Sequence, residues 1–253
     1  MPEIGRYLYG FTRAGFRPPS DLKGLAGAPI EMLTFDDIAA VVSQHRVSPL
    51  MPVRSNLEPH HRVVRGVSLE TTLLPAAFGH ITSSDRAIVD VLQLNYQDLR
   101  QQLDRLHGKC EMGVKLSWKV GNIFEYFVAQ QGELRTMRDR VFSHRDPSLP
   151  DKLRLGELFA KLHSSERDRL SGMFLAVIET VCCEWTAIPP REERTICQSA
   201  VLIERARGAD FAGALQRAAR LFDANFAVEY SGPWPAYSFV QLRLQHGMPI
   251  AAA

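Results

Sequence analysis

The amino-acid sequence predicts an α+β protein of two domains, one over residues 1–120 and the other over residues 121–253. Strand-like and helical segments come in runs instead of alternating strictly, which is typical of α+β folds. A polar, proline-bounded stretch from Asp146 to Pro150 then opens a second set of elements. We therefore expect an N-terminal ferredoxin-like-type sheet with helices on one side, and a C-terminal α+β unit with a long helix.

Three strands open the first domain. The aromatic-rich residues 4–12 form the first strand, and residues 28–33 and 38–43 form two more. Asp36 and Asp37 are turn-forming residues between the second and third strands, which predicts a hairpin.

The helix that follows has two candidate starts. Ser55 and Glu58 fit a capping box, whereas Pro59 suits the first position of a helix. From either start the helix is expected to reach about Thr72. Residues 73–79 then predict a buried strand.

One long helix is predicted next, from Ser84 to Leu106. Ser84 is a good N-cap, and apolar side chains recur at helical spacing along the segment. Gly108 follows at the position of a C-cap. Residues 109–118 alternate between polar and apolar side chains, which predicts a half-buried strand.

The second domain is predicted to begin with helices. Residues 122–140 have a helical pattern that Gly132 interrupts, and the long helix that opens at the joint is expected to kink or turn over residues 164–169. The remaining elements are a strand, a helix and a strand, over residues 196–204, 210–222 and 225–230.

The most distinctive segment lies near the C-terminus, at residues 230–240. Pro233 and Pro235 flank Trp234, and each proline fixes its own φ angle and lacks a backbone N–H. The segment can therefore be neither a helix nor a central strand. We expect a rigid extended bend that orients the side chain of Trp234.

Composition excludes several classes of protein. The formal net charge is +2, from 30 basic and 28 acidic residues, so the chain lacks the basic character of most nucleic-acid-binding proteins. Arg54, Arg62 and Arg65 cluster near a predicted helix start, and we interpret them as a solvated face. No segment approaches the ~18 apolar residues of a membrane span. The four cysteines form no disulfide framework, and we expect a cytosolic protein.

No motif predicts catalysis, a cofactor or a metal, so no residue is assigned to such a role. The adjacent His60 and His61 have no orienting carboxylate in the sequence, and we interpret them as packing residues. His107 and Cys110 are three residues apart, but a predicted turn separates them, so we do not interpret them as a metal site. An enzyme of unassigned type stays an alternative, because catalytic groups can assemble from distant segments.

A ferredoxin-like nucleic-acid-binding module is a further alternative. Such a module needs a basic sheet face with exposed aromatic side chains. Arg6, Tyr7 and Tyr9 in the first predicted strand have this pattern, but the near-neutral charge argues against it.

Several segments carry a resemblance to a known family. They are Tyr7-Leu8-Tyr9-Gly10 and residues 73–79, 108–115 and 230–240. Their sequences and their order resemble the gas vesicle F/L family (GvpF/GvpL), and the similarity covers nearly the whole chain. Neither the F nor the L branch is favoured.

This resemblance implies an accessory protein of gas vesicle formation, and not an enzyme. The implied partners are the small hydrophobic shell protein GvpA and other gas vesicle accessory proteins, with no cofactor, nucleic acid or membrane. The implied location is the cytoplasm, at the gas vesicle and including its gas-facing surface.

A partner-binding role points to the aromatic residues near the C-terminus. An accessory protein could cover an apolar shell subunit by strand addition or by aromatic anchoring. Trp234, Tyr237 and Phe239 are the expected contact residues. The alternative is that Trp234 closes the core of the second domain.

Overall fold

The computed structural model describes residues 4–143, 148–242, 244 and 245. Antiparallel sheets and helices follow one another in runs, which confirms the predicted α+β class. The predicted joint from Asp146 to Pro150 lies partly outside the described residues.

The chain forms two compact units. Unit 1 comprises Met1–Met112, Leu202–Ala206 and Gly232–Ala253, and unit 2 comprises Gly113–Val201 and Arg207–Ser231. Each unit is thus assembled from separate stretches of sequence. The prediction of folding domains that divide between residues 120 and 121 stays a prediction.

Unit 1 contains a five-stranded antiparallel sheet. Its strands are β1 (Ile4–Arg13), β2 (Glu31–Phe35), β3 (Ile38–Arg46), β4 (Leu73–Pro75) and β5 (Ile81–Thr82). The order is β2-β3-β1-β4, and β5 also pairs with β1. The first three predicted strands are confirmed, and the buried strand predicted over residues 73–79 is shortened to β4.

The β2–β3 hairpin has the predicted two-residue turn. Phe35 pairs with Ile38, and Asp36 between them has a φ of 52°. Aspartate tolerates this left-handed conformation better than most residues do, because its short side chain can hydrogen-bond locally.

The centre of the sheet is covered on both faces. Residues 38–43 of β3 are all buried, although successive side chains of a strand point to opposite faces. On one face a cluster joins the sheet to helix α1 (Arg54–Glu70). Its best-buried members include Tyr7, Tyr9, Val41, Val63, Val64 and Val67.

Helix α1 starts earlier than both candidate starts in the sequence. The helix begins at Arg54, within one residue of the candidate start near Ser55, but its N-cap is Val53, whose side chain makes no capping bond. The predicted capping box at Ser55 and the candidate start at Pro59 are therefore wrong. Pro59 lies inside the helix. Burial of one face of α1 against β1 outweighs the local capping preference, since helices in proteins depend mainly on tertiary packing.

The single helix predicted from Ser84 to Leu106 is two helices, α2 (Asp85–Leu94) and α3 (Tyr96–Arg105). Ser84 is the N-cap as predicted, and its hydroxyl accepts a hydrogen bond from Ala87 N at 3.3 Å. Asn95 leaves the helical conformation at φ −110° and ψ 18°. Its amide donates to the Val91 carbonyl at 2.8 Å, and such local side-chain bonds compete with helical geometry.

A second sheet contains four strands in the order β7-β8-β6-β9. They are β6 (Lys109–Trp118), β7 (Glu184–Ala187), β8 (Thr195–Glu204) and β9 (Phe226–Trp234). Every second residue of β6 is buried, as the alternation predicts. β7 is too short to be recognised in the sequence. β9 continues to Trp234, beyond the predicted end at residue 230, and its edge position suits its proline.

Four helices complete unit 2: α4 (Ile123–Gln130), α5 (Gly132–Phe142), α6 (Leu149–Ile178) and α7 (Gly208–Ala219). The predicted break at Gly132 is confirmed. The predicted kink over residues 164–169 is wrong, because α6 is continuous there. Ion pairs within this polar stretch, such as Arg169 with Glu166 at 2.6 Å, stabilise the helix on its solvent side.

Candidate functional site: a groove along helix α1

An open groove with a volume of about 760 Å³ lies within unit 1. One wall is a stripe along α1, formed by Glu58, His61, Arg62, Arg65, Gly66 and Leu69. The other wall is the end of β9 and the chain that follows it, with Trp234, Pro235 and Tyr237. We call this cavity the α1 groove.

The helix wall follows directly from helical periodicity. Its members recur at intervals of three and four residues, so they lie on one face of α1. From Glu58 to Leu69 the helix rises roughly 16 Å at 1.5 Å per residue. Gly66, near the middle, has no side chain, and a Cβ there would lie 3.3 Å from Leu22 Cδ1. The groove is therefore long, and the absence of a side chain at Gly66 leaves room for Leu22 to pack against the helix.

Two large apolar side chains remain accessible at the groove. Trp234 is 39% exposed and Leu69 is 54% exposed. The Arg65 guanidinium lies 5.5 Å from the centroid of the Trp234 ring, within the range of a cation–π interaction. This contact holds the indole beside the groove even though the ring is partly exposed.

The second wall is fixed to the body of unit 1 by polar contacts. The Ser238 N–H and hydroxyl both donate to the Glu111 carboxylate, at 2.8 and 2.9 Å. The Arg105 guanidinium donates to the Phe239 carbonyl. Because β6 and α3 supply these partners, the wall has a defined position and does not move as a free loop.

Gly232 allows this wall to approach β6 closely. Its φ is 120°, and a Cβ would lie 2.9 Å from the Glu111 carbonyl and 2.8 Å from Met112 Sδ. Only glycine adopts such a backbone conformation without strain and leaves room for the neighbouring strand. The Gly232–Pro233 peptide bond is cis.

The ionisable side chains of the groove differ in their pKa shifts and in their ion pairs. Burial raises the pKa of Glu111, and the two hydrogen bonds from Ser238 partly oppose that rise. Burial, and then the nearby Glu111 carboxylate, raise the pKa of Tyr237, whose hydroxyl has no hydrogen-bond partner among the described residues. Arg62 pairs with Glu58 at 3.4 Å. No described carboxylate forms an ion pair with Arg65.

Comparison with known proteins identifies the family of this chain. Residues 5–241 match the family model described as gas vesicle synthesis protein GvpL/GvpF. The chain belongs to this family. The resemblance of the sequence motifs is thereby confirmed, and a role in gas vesicle formation follows from membership of GvpL/GvpF.

Similar GvpL/GvpF proteins match along nearly their whole length. The chain is 27% identical to gas vesicle protein F of Streptomyces sp. (strain CB03234), over 94% of this chain and 100% of the relative. It is 24% identical to gas vesicle protein L of the same organism, over 92% of each chain. Both branches are therefore represented among the similar proteins.

Two solved structures share the fold. The crystal structure of GvpF from Anabaena sp. PCC7120 superposes with a TM-score of 0.85 at 22% identity, covering 94% of this chain and 99% of that one. GvpF from Microcystis aeruginosa gives a TM-score of 0.79 at 20% identity, with the same coverage. The arrangement described above is thus the fold of these GvpF structures.

The structure separates the three expected contact residues. Trp234 is partly exposed in the groove, Tyr237 is half-buried and packs against the unit 1 core, and Phe239 is only 4% exposed. The alternative that Trp234 closes the core of the second domain is wrong, because Trp234 belongs to unit 1 and its ring is partly exposed.

Sequence reasoning missed two groove residues. In the sequence Leu69 only falls within a predicted helix, and Arg65 belongs to the predicted solvated face. Arg65 is exposed, but it lies over Trp234. The helical spacing of residues 58–69 predicts that they share one face of the helix. The residues that form the opposite wall, such as Trp234, lie far along the chain, and no local pattern in the sequence predicts that they meet this face.

The residues considered for chemistry have structural roles. His60 is buried, and its Nδ1 lies within hydrogen-bond distance of the Tyr7 hydroxyl, at 2.8 Å. Burial, and then the neighbouring His61 and His80, lower the pKa of His60 to about 4. Burial also raises the pKa of the Cys110 thiol, which makes it a poor nucleophile at neutral pH.

The structure also bears on metal binding, base stacking and membrane spanning. Within the described ranges, no group of three or more histidine, cysteine or acidic side chains could hold a metal ion. Tyr7 and Tyr9 are fully buried, so they offer no surface for stacking bases. Across the part of the chain that the structure describes, no helix combines the length and apolarity of a membrane span.

Proposed function

We propose that this chain is a gas vesicle accessory protein that binds the shell protein GvpA, and other gas vesicle accessory proteins, through the α1 groove. The observation that carries the proposal is the exposure of Trp234 and Leu69 beside a groove of about 760 Å³. Anchors of this kind, in pockets that exclude water, dominate the binding energy of many protein interfaces. Family membership supplies the context of gas vesicle formation.

The physical task is to keep an aggregation-prone subunit available for assembly. Chains with apolar strands associate through uncovered edges and faces unless a partner covers them. The α1 groove offers an aromatic anchor that is held in place before binding, so little side-chain entropy is lost on contact. Tyr237 then forms part of the groove wall, and Phe239 supports that wall from within.

The proposed role is non-enzymatic and is exercised in the cytoplasm, at the growing gas vesicle. Two facts support a binding function over catalysis: His60 is engaged by Tyr7, and the buried Cys110 thiol is held protonated. Neither residue lines the groove. The residues accessible in the α1 groove are instead apolar, such as Trp234 and Leu69, or cationic, such as Arg65.

Light scattering tests the proposal. Purified GvpA is diluted from denaturant with and without an equimolar amount of this chain, and the mixture is then fractionated by size. We expect suppressed scattering and a co-eluting complex. Trp234→Ala should weaken the suppression by roughly tenfold or more in required concentration, as expected for loss of an interface anchor.

Trp185 provides a matched control. It lies in β7 of unit 2 and is 39% exposed, the same fraction as Trp234. Trp185→Ala should therefore behave like the unmodified chain, and circular dichroism should show that both variants are folded. Equal loss of suppression in the two variants would refute binding through the groove, and no suppression by the unmodified chain would refute GvpA binding.

A further inference from the structure

The α1 groove contains one cation that the fold leaves without a carboxylate. Glu58 is engaged by Arg62 at 3.4 Å and by Arg54 at 4.0 Å, and Glu111 accepts both hydrogen bonds from Ser238. Arg65 has a π contact with Trp234 but no ion pair among the described residues. The groove therefore presents a positive charge directly beside its exposed indole.

Beyond the end of β9, the second wall of the groove has few free main-chain donors. Within the second wall, Pro235 has no backbone N–H, and the Tyr237 N–H donates to the Pro235 carbonyl at 2.7 Å. The Ser238 N–H donates to Glu111, and the Phe239 N–H donates to the Ala236 carbonyl at 3.1 Å. Strand addition depends on free main-chain groups, so this part of the wall favours recognition of a partner by its side chains.

The dimensions of the groove suit a helix. The α1 wall is roughly 16 Å long, which matches three turns of a partner helix at 5.4 Å per turn. Near the middle of that length, the side chain of Leu22 packs against the helix at Gly66 and also lines the groove. Leu69 and Trp234 provide the apolar contacts that such a helix would cover.

We infer that the α1 groove binds an amphipathic helical segment of GvpA, whose apolar face covers Leu69 and Trp234 and whose aspartate or glutamate pairs with Arg65. This inference rests on the proposed function and names the chemistry by which the partner is recognised. The partner's carboxylate pairs with Arg65, the groove cation that has no ion pair among the described residues. The Arg65 guanidinium can stack on the Trp234 indole through its planar face and donate to the carboxylate through its N–H edge, so the two contacts are compatible.

A charge-swap experiment tests the inference. The chain carrying Arg65→Glu is titrated into GvpA during dilution from denaturant, and the concentration that halves the scattering is measured. We expect an increase of about tenfold over the unmodified chain, because an attractive contact becomes repulsive. Each aspartate and glutamate of GvpA is then changed to lysine in turn, and one of these changes should restore suppression by the Arg65→Glu chain.

Arg54→Glu is the matched control. Arg54 is on the same helix and its side chain is 96% exposed, but it does not line the groove. It reverses the same charge and should leave the half-suppression concentration within about twofold of the unmodified chain, as is usual for a peripheral charge. Circular dichroism confirms that both variants are folded.

The outcomes separate this inference from the proposed function. If Arg65→Glu suppresses scattering normally while Trp234→Ala does not, the carboxylate pairing is wrong and the groove remains the binding surface. If no lysine substitution rescues Arg65→Glu, the pairing is likewise wrong. If sedimentation shows that the chain alone self-associates and that Arg65→Glu abolishes this, the occupant is a second copy of the chain and the inference is overturned.

Discussion

Tyr7 and His60 form a buried polar contact that joins β1 to α1 in unit 1. The Gly79 N–H donates to the Tyr7 oxygen at 3.1 Å, and the Tyr7 hydroxyl contacts His60 Nδ1 at 2.8 Å. Burial raises the pKa of Tyr7, so its hydroxyl remains protonated and can donate to a neutral His60. Burial also disfavours the charged form of His60, because a buried imidazolium loses its solvation.

The burial of His60 predicts a loss of stability in mild acid. His60 has a pKa of about 4 in the folded chain and an ordinary value of 6.5. Its contribution is complete above pH 6.5 and is lost as the pH falls from 6.5 to 4, because the unfolded chain binds the proton first. The shift corresponds to at most about 3 kcal/mol of unfolding free energy. Urea unfolding of the unmodified chain from pH 7.5 to 4.5 measures this decline.

Two variants make the measurement specific. His60→Gln keeps an acceptor for Tyr7 but cannot titrate, so its unfolding free energy should decline less over this range. His107→Gln changes an exposed histidine after α3 and should keep the decline of the unmodified chain. An unchanged decline in His60→Gln would show that other groups cause the acid sensitivity.

At the scale of single elements, α1 contains an unfavourable residue. Pro59 lies five residues after Arg54, the first residue of the helix, where its missing N–H leaves the Ser55 carbonyl without the usual helical partner. Ser55 is exposed, so water can reach that region of the backbone. The first turn is nevertheless helical, and it carries Glu58 into the groove wall.

Replacing this proline should stabilise the protein. Pro59→Ala restores the helical hydrogen bond, and proline in a helix interior costs about 3 kcal/mol relative to alanine. Greater freedom of the unfolded chain offsets part of that gain, by about 1 kcal/mol. We expect a net increase of about 1–2 kcal/mol in the unfolding free energy, measured by urea denaturation.

Pro52→Ala is the control for this prediction. Pro52 lies in the exposed connection before α1, outside any helix, so its replacement should give no increase. If Pro59→Ala also gives no increase in unfolding free energy, the prediction is wrong. The turn before Pro59 would then add little stability, and the stable part of the helix would start at Pro59, the position that proline favours in a helix.

At the scale of the whole molecule, the C-terminal segment belongs to unit 1 although it follows unit 2 in the sequence. It contributes the buried Phe239 and the half-buried Tyr237. Further along, the Gln241 N–H donates to the Gln102 side chain at 3.1 Å. Residues 1–120 nevertheless contain the entire first sheet with α1, α2 and α3.

We propose, in line with the sequence, that residues 1–120 fold as a domain. The isolated fragment should unfold cooperatively, but at a lower temperature than unit 1 in the full chain, because it lacks the C-terminal wall. A synthetic peptide of residues 232–245 should raise the melting temperature by several degrees when added in excess, since binding to the folded state stabilises it.

The peptide carrying Phe239→Ala is the control, because Phe239 supplies the deepest contact of this segment. It should have a much smaller effect on the melting temperature. A fragment that shows no cooperative unfolding, even with the unmodified peptide, would contradict the proposal that residues 1–120 form a domain.

Where local signals were strong, the elements could be predicted from the sequence. The alternation in β6, the N-cap at Ser84 and the break at Gly132 depend on neighbouring residues only. The predictions failed where packing or a single side chain opposed the pattern, as at Asn95 and at the start of α1. Local propensities are worth tenths of a kcal/mol per residue, so tertiary burial overrides them.

The α+β class, the family, and the exclusion of prolines 233 and 235 from any central strand follow from the amino-acid sequence. The partial exposure of Trp234, the burial of Phe239 and the position of Arg65 over the indole follow only from the folded structure. Positions 65 and 234 belong to segments far apart in the chain. Periodicity describes which residues share a face of one element, whereas the groove exists only where the faces of two distant segments meet.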